Sequence, residues 1–387
     1  MYTGKDSWKR SEINSIKCSP SKGGCKVEIG SEFWITEQQY DDAGLSAPPW
    51  MNWGEDRKLL LSGRTAIDYV LKDIMKFRKV ENIYFPSYCC QSMLQPFLAQ
   101  GMNIILYDVY YDDGSLQFNI DVNQDCDIFF AMNYFGFSMG RIDYFIERFK
   151  QRNVIVIEDS THCLLSDKSY HSKSDYIIAS LRKWFPVISG GIAVKTEGHF
   201  QIDVLDEPPD VMIQIKKEAM LEKASYIATK RFIDKNSYLE KYRVSNQMLE
   251  LDYCLYKMDR ESVRILNSLN VASIKDARRR NAKVLIEGLR NRFRFIFYEL
   301  DVHDCPIFVP VLFDNQEDRD KLRNHLIAHQ IYCPVHWPVP TVINKSSHRS
   351  LETLYNHELS LVIDQRYVCS DMHRIIRRID QYYGEVQ

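Results

Sequence analysis

The sequence predicts an α/β protein, with a mostly parallel sheet flanked by helices and a smaller C-terminal α+β domain. Three observations carry this. Apolar runs of four to seven residues alternate with amphipathic runs between residues 60 and 195, which implies crossover connections and a largely parallel sheet. A charged, amphipathic, helical stretch follows, from about residue 208 to 292. Mixed strands and helices then return, and 387 residues exceed what one hydrophobic core usually covers.

The elements follow in order. Residues 1–55 are irregular, with "SKGG" and "LSAPPW" as loop signals, and are expected to form an arm with a short strand near "CKVEIG". "RTAIDYVLKDIMKF" places Ile67, Val70, Leu71, Ile74 and Met75 at helical spacing. "NIYFP" is a short buried strand, and "CQSMLQPFLAQG" a helix ended by Gly101. "NIILYDV", "DIFFAMNYFG" and "VIVIEDS" are strands, with the helix "RIDYFIERFKQR" before the third. "YIIAS" and "GIAV" complete the first set, giving a large domain over residues 56–240. Residues 241–387 are expected to form a helical link and the small domain. Its pieces are "FRFIFYEL", "CPIFVPVLF", the helix "DRDKLRNHLIAHQ", "IYCPVHW", "ELSLVID" and the helix "MHRIIRRIDQYY".

Composition excludes several classes. The formal charge is −2, so no global basic field exists to hold nucleic acid or an anionic membrane. No run of about 18 apolar residues suggests a membrane span. "MYTGKDSWKRSEINSIK" lacks the apolar core of a signal peptide. The ten cysteines include no Cys-x-x-Cys pair, so reduced thiols in a cytoplasmic protein are expected, with no metal site.

Three motifs fall where such folds place ligands, at strand carboxyl ends and helix starts. In "LLSGRTAID", Gly63, Arg64 and Thr65 begin a helix, where free N–H groups and the dipole favour an anion. The plainer reading is that Ser62 or Thr65 is an ordinary N-cap. In "VIVIEDSTH", a buried strand delivers Asp159, a carboxylate that needs a cationic partner or donors. His162 stands three residues on; Asp159 capping the next turn and His162 as a satisfied interior histidine is the alternative. In "SLRKWFPVISGG", Ser180 precedes Lys183 by three residues and Trp184 and Phe185 follow. Arg182 and Lys183 are either a solvated pair or the mark of a reactive amine.

Taken together the motifs suit one ligand. It has a phosphate for Gly63, Thr65 and Ser180, a ring nitrogen for Asp159, a ring oxygen for His162 and an aldehyde for Lys183. Pyridoxal 5′-phosphate has these groups.

With these motifs the sequence resembles the DegT/DnrJ/StrS family of pyridoxal-phosphate aminotransferases, over roughly residues 27–384. The matching pieces are "SGRTAID", "FPSYCCQSMLQPFLAQG", "VIVIEDSTH", "SLRKWFPVISGG", "IYCPVHWPVP" and "LSLVIDQRY". The resemblance implies the fold-type-I architecture shared with aspartate aminotransferase. It implies Lys183 as the Schiff-base and proton-shuttling lysine and Asp159 as the partner of the ring nitrogen. It further implies an amino donor such as glutamate, a nucleotide-linked keto sugar as acceptor, and a homodimer with shared active sites. The position of the family's stacking aromatic falls on Cys90, with Tyr88 close by. For the partner-subunit loop, "YRVSNQML" offers Arg243 and Asn246. His336 and Trp337 are candidates for holding the acceptor, Trp337 by stacking or else simply by packing under "PVP". Arg366 is a candidate bidentate clamp for a donor carboxylate, or else a surface ion pair.

The family's sugar enzymes place the serine five residues before the lysine, whereas here the interval is three. A pyridoxal-phosphate enzyme acting on a free amino acid or small keto compound therefore stays open. So does a non-catalytic protein on this fold, although the retained Lys183 and Asp159 argue against it.

Overall fold

A computed structural model of the chain describes residues 28–35, 48–139, 141–202, 205–229, 234–343 and 348–386. The sequence "SKGG" and most of the expected arm lie outside the described residues.

The centre is an eight-stranded sheet. Its strands are β2 (Asp56–Leu60), β3 (Asn82–Pro86), β4 (Asn103–Asp112), β5 (Ser115–Asn119), β6 (Ile128–Met132), β7 (Ile155–Asp159), β8 (Tyr176–Ala179) and β9 (Gly191–Lys195). The order is β2-β9-β8-β7-β6-β3-β4-β5. The neighbours from β8 through β7, β6 and β3 to β4 run parallel. The edges are antiparallel: β9 against β8 and β2, and β5 against β4. A parallel strand is covered on both faces, and β6, β7 and β8 are buried throughout. Each fully buried Ile or Val there contributes about 1.5–3 kcal/mol.

Helices α1 (Gly63–Ile74), α2 (Gln91–Ala99) and α3 (Asp143–Gln151) flank the sheet. Of the expected apolar stripe of α1, Ile67, Val70, Leu71 and Ile74 are buried, whereas Met75 is the C-cap and its side chain is exposed. Helices α4 (Asp210–Thr229), α5 (Lys235–Leu251), α6 (Arg260–Asn267) and α7 (Val271–Leu289) fill the helical stretch. Beyond them, β10 (Arg294–Phe295), β11 (Phe308–Leu312) and β13 (Glu358–Val362) make a three-stranded antiparallel sheet, accompanied by α8 (Gln316–Ala328) and α9 (Cys369–Val386).

Two elements differ from expectation. "FRFIFYEL" keeps only two residues in a strand, and "IYCPVHW" only β12 (Ile331–Tyr332). In the second segment Pro334 withdraws a backbone donor, and Pro338 and Pro340 follow just beyond it. The short strand near "CKVEIG" is β1 (Ile29–Gly30), and its partner is distant: it pairs parallel with β12. Residues 30–33 thereby line one cavity together with residues 332–337.

Candidate active site

Asp159 is the last residue of β7 and Ser180 follows the end of the parallel neighbour β8. The chain after Ser180 makes a single 3₁₀ turn, Leu181–Lys183. Two features hold this turn. The Leu181 N–H donates to the Gly190 carbonyl at 3.1 Å. The indole N–H of Trp184 donates to the Thr161 carbonyl at 2.6 Å. The second bond ties the Lys183 turn to the Asp159 turn, so Trp184 and Phe185 serve as packing, buried in the core.

Helix α1 begins against the same place. A Cβ on Gly63 would lie 2.9 Å from the Ser180 Cβ, and one on Gly191 would lie 2.1 Å from the Ser62 carbonyl oxygen. Glycine at both positions lets the helix start, Ser180 and β9 meet. The result is a cavity of about 90 Å³ lined by Gly63, Arg64, Cys90, Asp159, Ser180 and Lys183, with Thr161 and Arg182. Lys183 itself is exposed and also lines a larger cavity of about 560 Å³, beside His336, Trp337 and residues 30–33.

The small cavity is electrostatically unbalanced. Asp159 accepts from the Thr161 N–H at 2.8 Å. Burial nonetheless raises its pKa, with that hydrogen bond and the charge of Lys183 acting in the opposite direction. Arg182 is desolvated, which lowers its pKa; the charge of Glu32 opposes this and that of Arg64 adds to it. Its Nε is buried without a partner, as is the Nε of Arg64. Arg64 is otherwise held by the Leu249 carbonyl at 3.3 Å and the face of Tyr253. Two under-satisfied guanidiniums and a helix N-terminus converge on one cavity, a setting that suits a doubly charged anion.

His162 is fixed in one tautomer. The Phe135 N–H donates to its Nδ1 at 3.1 Å, so the proton sits on Nε2. Burial, then the charges of Lys183 and His336, push its pKa well down, and the ring is neutral. The Nε2–H is buried with no partner. It is a donor in need of an acceptor, with Trp337 stacked on the ring at 5.6 Å.

Other expected residues stand elsewhere. Thr65 is buried, and its N–H and hydroxyl meet the Ser62 Oγ at 3.1 and 2.9 Å. It completes an N-cap and does not face the cavity. Tyr88 is likewise off the cavity: its ring packs between Tyr134, Trp337 and Tyr355, at centroid distances of 4.9–5.5 Å. Arg366 is no open clamp, because Asp364 occupies its fork with two bonds of 2.8 Å. Its remaining N–H groups hold the carbonyls of Glu32 and Ser31 at 3.0 and 3.1 Å. Asn246 lines a separate void of about 20 Å³ that Arg182 also borders. Arg243 is exposed and paired with Glu240. His336 lies on the larger cavity; its Nδ1 and the Ser360 Oγ are 2.8 Å apart, and its N–H donates to Glu358 at 2.8 Å. Arg182, which the sequence left as half of a solvated pair or part of a reactive site, is half-buried, with its Nε enclosed.

No protein-family model matches the sequence, and no curated protein sequence matches it. Solved structures do. A putative sugar aminotransferase, Spr1654 from Streptococcus pneumoniae in its PLP form, superposes with a TM-score of 0.63 at 12% identity, over 93% of this chain and 100% of that one. Helicobacter pylori PseC, an aminotransferase involved in the biosynthesis of pseudoaminic acid, gives 0.62 at 11% identity, over 92% and 100%. A DegT DnrJ EryC1 StrS aminotransferase from Brucella abortus gives 0.55 at 14%, over 87% and 88%. The fold is that of the aminotransferases. The mostly parallel sheet and the smaller C-terminal α+β portion expected from the sequence are therefore both present in the chain.

Proposed function

We propose that the chain is a pyridoxal-phosphate-dependent aminotransferase that moves an amino group from an amino acid such as glutamate to a keto sugar. One observation carries this reading: Asp159 and Lys183, from different strand ends, line one cavity beside the glycine start of α1. The fit to the cofactor rests in part on groups that otherwise lack partners, the Nε of Arg64, the Nε of Arg182 and the Nε2 of His162. Arg64, Arg182, Ser180 and the start of α1 would take the phosphate and Asp159 the ring nitrogen; His162, which lines neither cavity but has an unpartnered Nε2–H, would take the ring oxygen.

When bound, the cofactor supplies an aldehyde for the amine and a ring that accepts the electron pair released at the substrate carbon. Asp159 would hold a proton on the ring nitrogen and so keep the ring electron-poor. Lys183 would take the proton from the substrate carbon at its Nζ and return it on the far side of the transferred nitrogen. Trp184 holds the lysine turn in register with Asp159.

The keto-sugar acceptor rests on the similarity to sugar aminotransferases and on the larger cavity. That cavity joins Arg182 and Arg323 to Phe33, Phe308 and Trp337, a mixture of cations and aromatic faces suited to a phosphorylated sugar. A nucleotide-linked sugar is the acceptor we favour. Lys183 is exposed in the single chain, so a second copy closing the site, as a homodimer, belongs to the same reading. No helix among the described residues is long and apolar enough to cross a membrane. The three-residue interval from Ser180 to Lys183 favours one second reading, a small keto compound as acceptor.

The test is spectroscopic. Purified protein with added cofactor should show a visible absorbance band that Lys183→Ala abolishes. Absence of the band in the unaltered protein sinks the proposal. A subsequent screen of keto sugar nucleotides against simple keto acids separates the two acceptors.

A further inference from the structure

Arg278 lies on α7, on the wall of the 560 Å³ cavity that Lys183 also lines. It is 1% exposed. Among the described residues no carboxylate stands within 4.0 Å of its guanidinium. Burial lowers its pKa to about 10, with Asp364 acting against that from further off. Asp364 is already engaged in both bonds to Arg366, so two arginines share one acid and one positive charge is left over. Leaving a charge uncompensated in the interior is costly unless something neutralises it.

Its position is fixed from three sides. Nε donates to the Gln365 Oε1 at 2.9 Å and Nη1 to the Ile307 carbonyl at 3.1 Å. The guanidinium carbon stands 4.4 Å from the ring centre of Trp184, the residue after Lys183. Gln365 also donates to the Trp184 carbonyl at 2.6 Å, so arginine and lysine turn are referred to the same backbone. Among the described residues Nη2 has no hydrogen-bond partner. A buried, oriented, unneutralised guanidinium edge on the cavity of the reactive amine is a receptor for a planar anion.

We infer that Arg278 binds a carboxylate of the amino donor, the role that Arg366 cannot fill because Asp364 occupies it. The inference rests on the proposed aminotransferase reading. The place argues for the donor over a phosphorylated acceptor: a carboxylate next to the transferred amine must lie close to the Lys183 turn, whereas a sugar phosphate lies further from the reacting carbon.

Calorimetric titration with glutarate, a dicarboxylate that has no amine and cannot react, tests it in cofactor-loaded and cofactor-free protein. Arg278→Met should weaken glutarate binding about 10- to 150-fold, the loss of one charge-assisted bond, and leave the visible band intact. Arg278→Lys should fall between. Equal glutarate affinity in unaltered protein and Arg278→Met overturns the inference. So does selective loss of affinity for a nucleoside diphosphate, which would assign Arg278 to the acceptor. Should the methionine variant not fold, the unaltered protein still decides, since a melting temperature that does not rise in millimolar glutarate overturns the inference. Absence of the visible band would refute the aminotransferase reading, while glutarate binding to cofactor-free protein would still report on Arg278.

Discussion

The indole of Trp184 and the carbonyl of Thr161 are joined by a 2.6 Å hydrogen bond buried between two strand ends. That single bond couples the turn that carries Lys183 to the turn that follows Asp159. Trp184→Phe keeps most of the packing but removes the donor. The variant should lose about 1–3 kcal/mol of stability, seen as a lower midpoint in denaturant titration. Its cofactor affinity should fall as well, because the two turns are no longer held in register.

Gly191 predicts a sharper effect. Its added Cβ would sit 2.1 Å from the Ser62 carbonyl oxygen and 2.8 Å from the Gly63 nitrogen. Gly191→Ala must push the start of α1 away from β9, at a cost of about 1–3 kcal/mol or more. Thermal melting should show the loss, and inorganic phosphate should no longer protect the variant if it protects the parent.

Arg182 should behave in the opposite way with respect to stability. Its guanidinium is enclosed and its Nε lacks a partner, so Arg182→Met relieves a desolvation cost. The cofactor-free variant should melt at the same temperature or higher. Its affinity for pyridoxal phosphate, measured by fluorescence titration, should drop about 10- to 100-fold, the loss of a charge-assisted bond.

Glu158 adds a pH dependence. It is fully buried, and desolvation raises its pKa to about 7 even though the His171 N–H and the Ser174 hydroxyl donate to it at 2.8 and 2.7 Å. The folded state therefore retains a proton that the unfolded chain releases near pH 4.5. Its contribution to stability is full below about pH 4.5, declines as pH rises toward 7, and is lost above. Over that window stability should fall by at most about 3 kcal/mol from this group. Urea titrations at pH 5 and pH 7.5 should show the slope, and Glu158→Gln should flatten it. A slope unchanged in the variant would place the pH dependence elsewhere.

Legibility from sequence followed locality. The strands β3, β6, β7 and β8 were readable because parallel strands are apolar on both faces, and the antiparallel β9 because it too is buried over nearly its whole length. Strand β2, "DRKLL", is a half-exposed edge strand with three charges and gave no such signal. The β4–β5 hairpin was missed although its turn, Asp113-Gly114 with positive φ at both residues, is a known hairpin signature. In the site, Gly63, Asp159, Ser180 and Lys183 were legible because each sits where a strand ends or a helix begins. The enclosure of Arg182 and of Arg278 was not. Each belongs to a run of basic residues that reads as solvated, and only the packing of remote segments encloses it. Thr65 shows the converse: its hydroxyl had a local partner in Ser62, three residues earlier, and took it. Arg366 was found as a residue but not as a role, because Asp364 stands only two residues before it.

Strand β1 has a consequence in time. The Gly30 N–H donates to the Tyr367 hydroxyl at 2.8 Å, across 337 residues of sequence. Residues 31–33, which wall the larger cavity, are held from Arg366. During synthesis the chain can assemble the large sheet and the lysine turn long before residue 366 leaves the ribosome. The cavity wall has to wait until residue 366 has emerged, so a nascent chain would carry the Lys183 amine before that wall was in place.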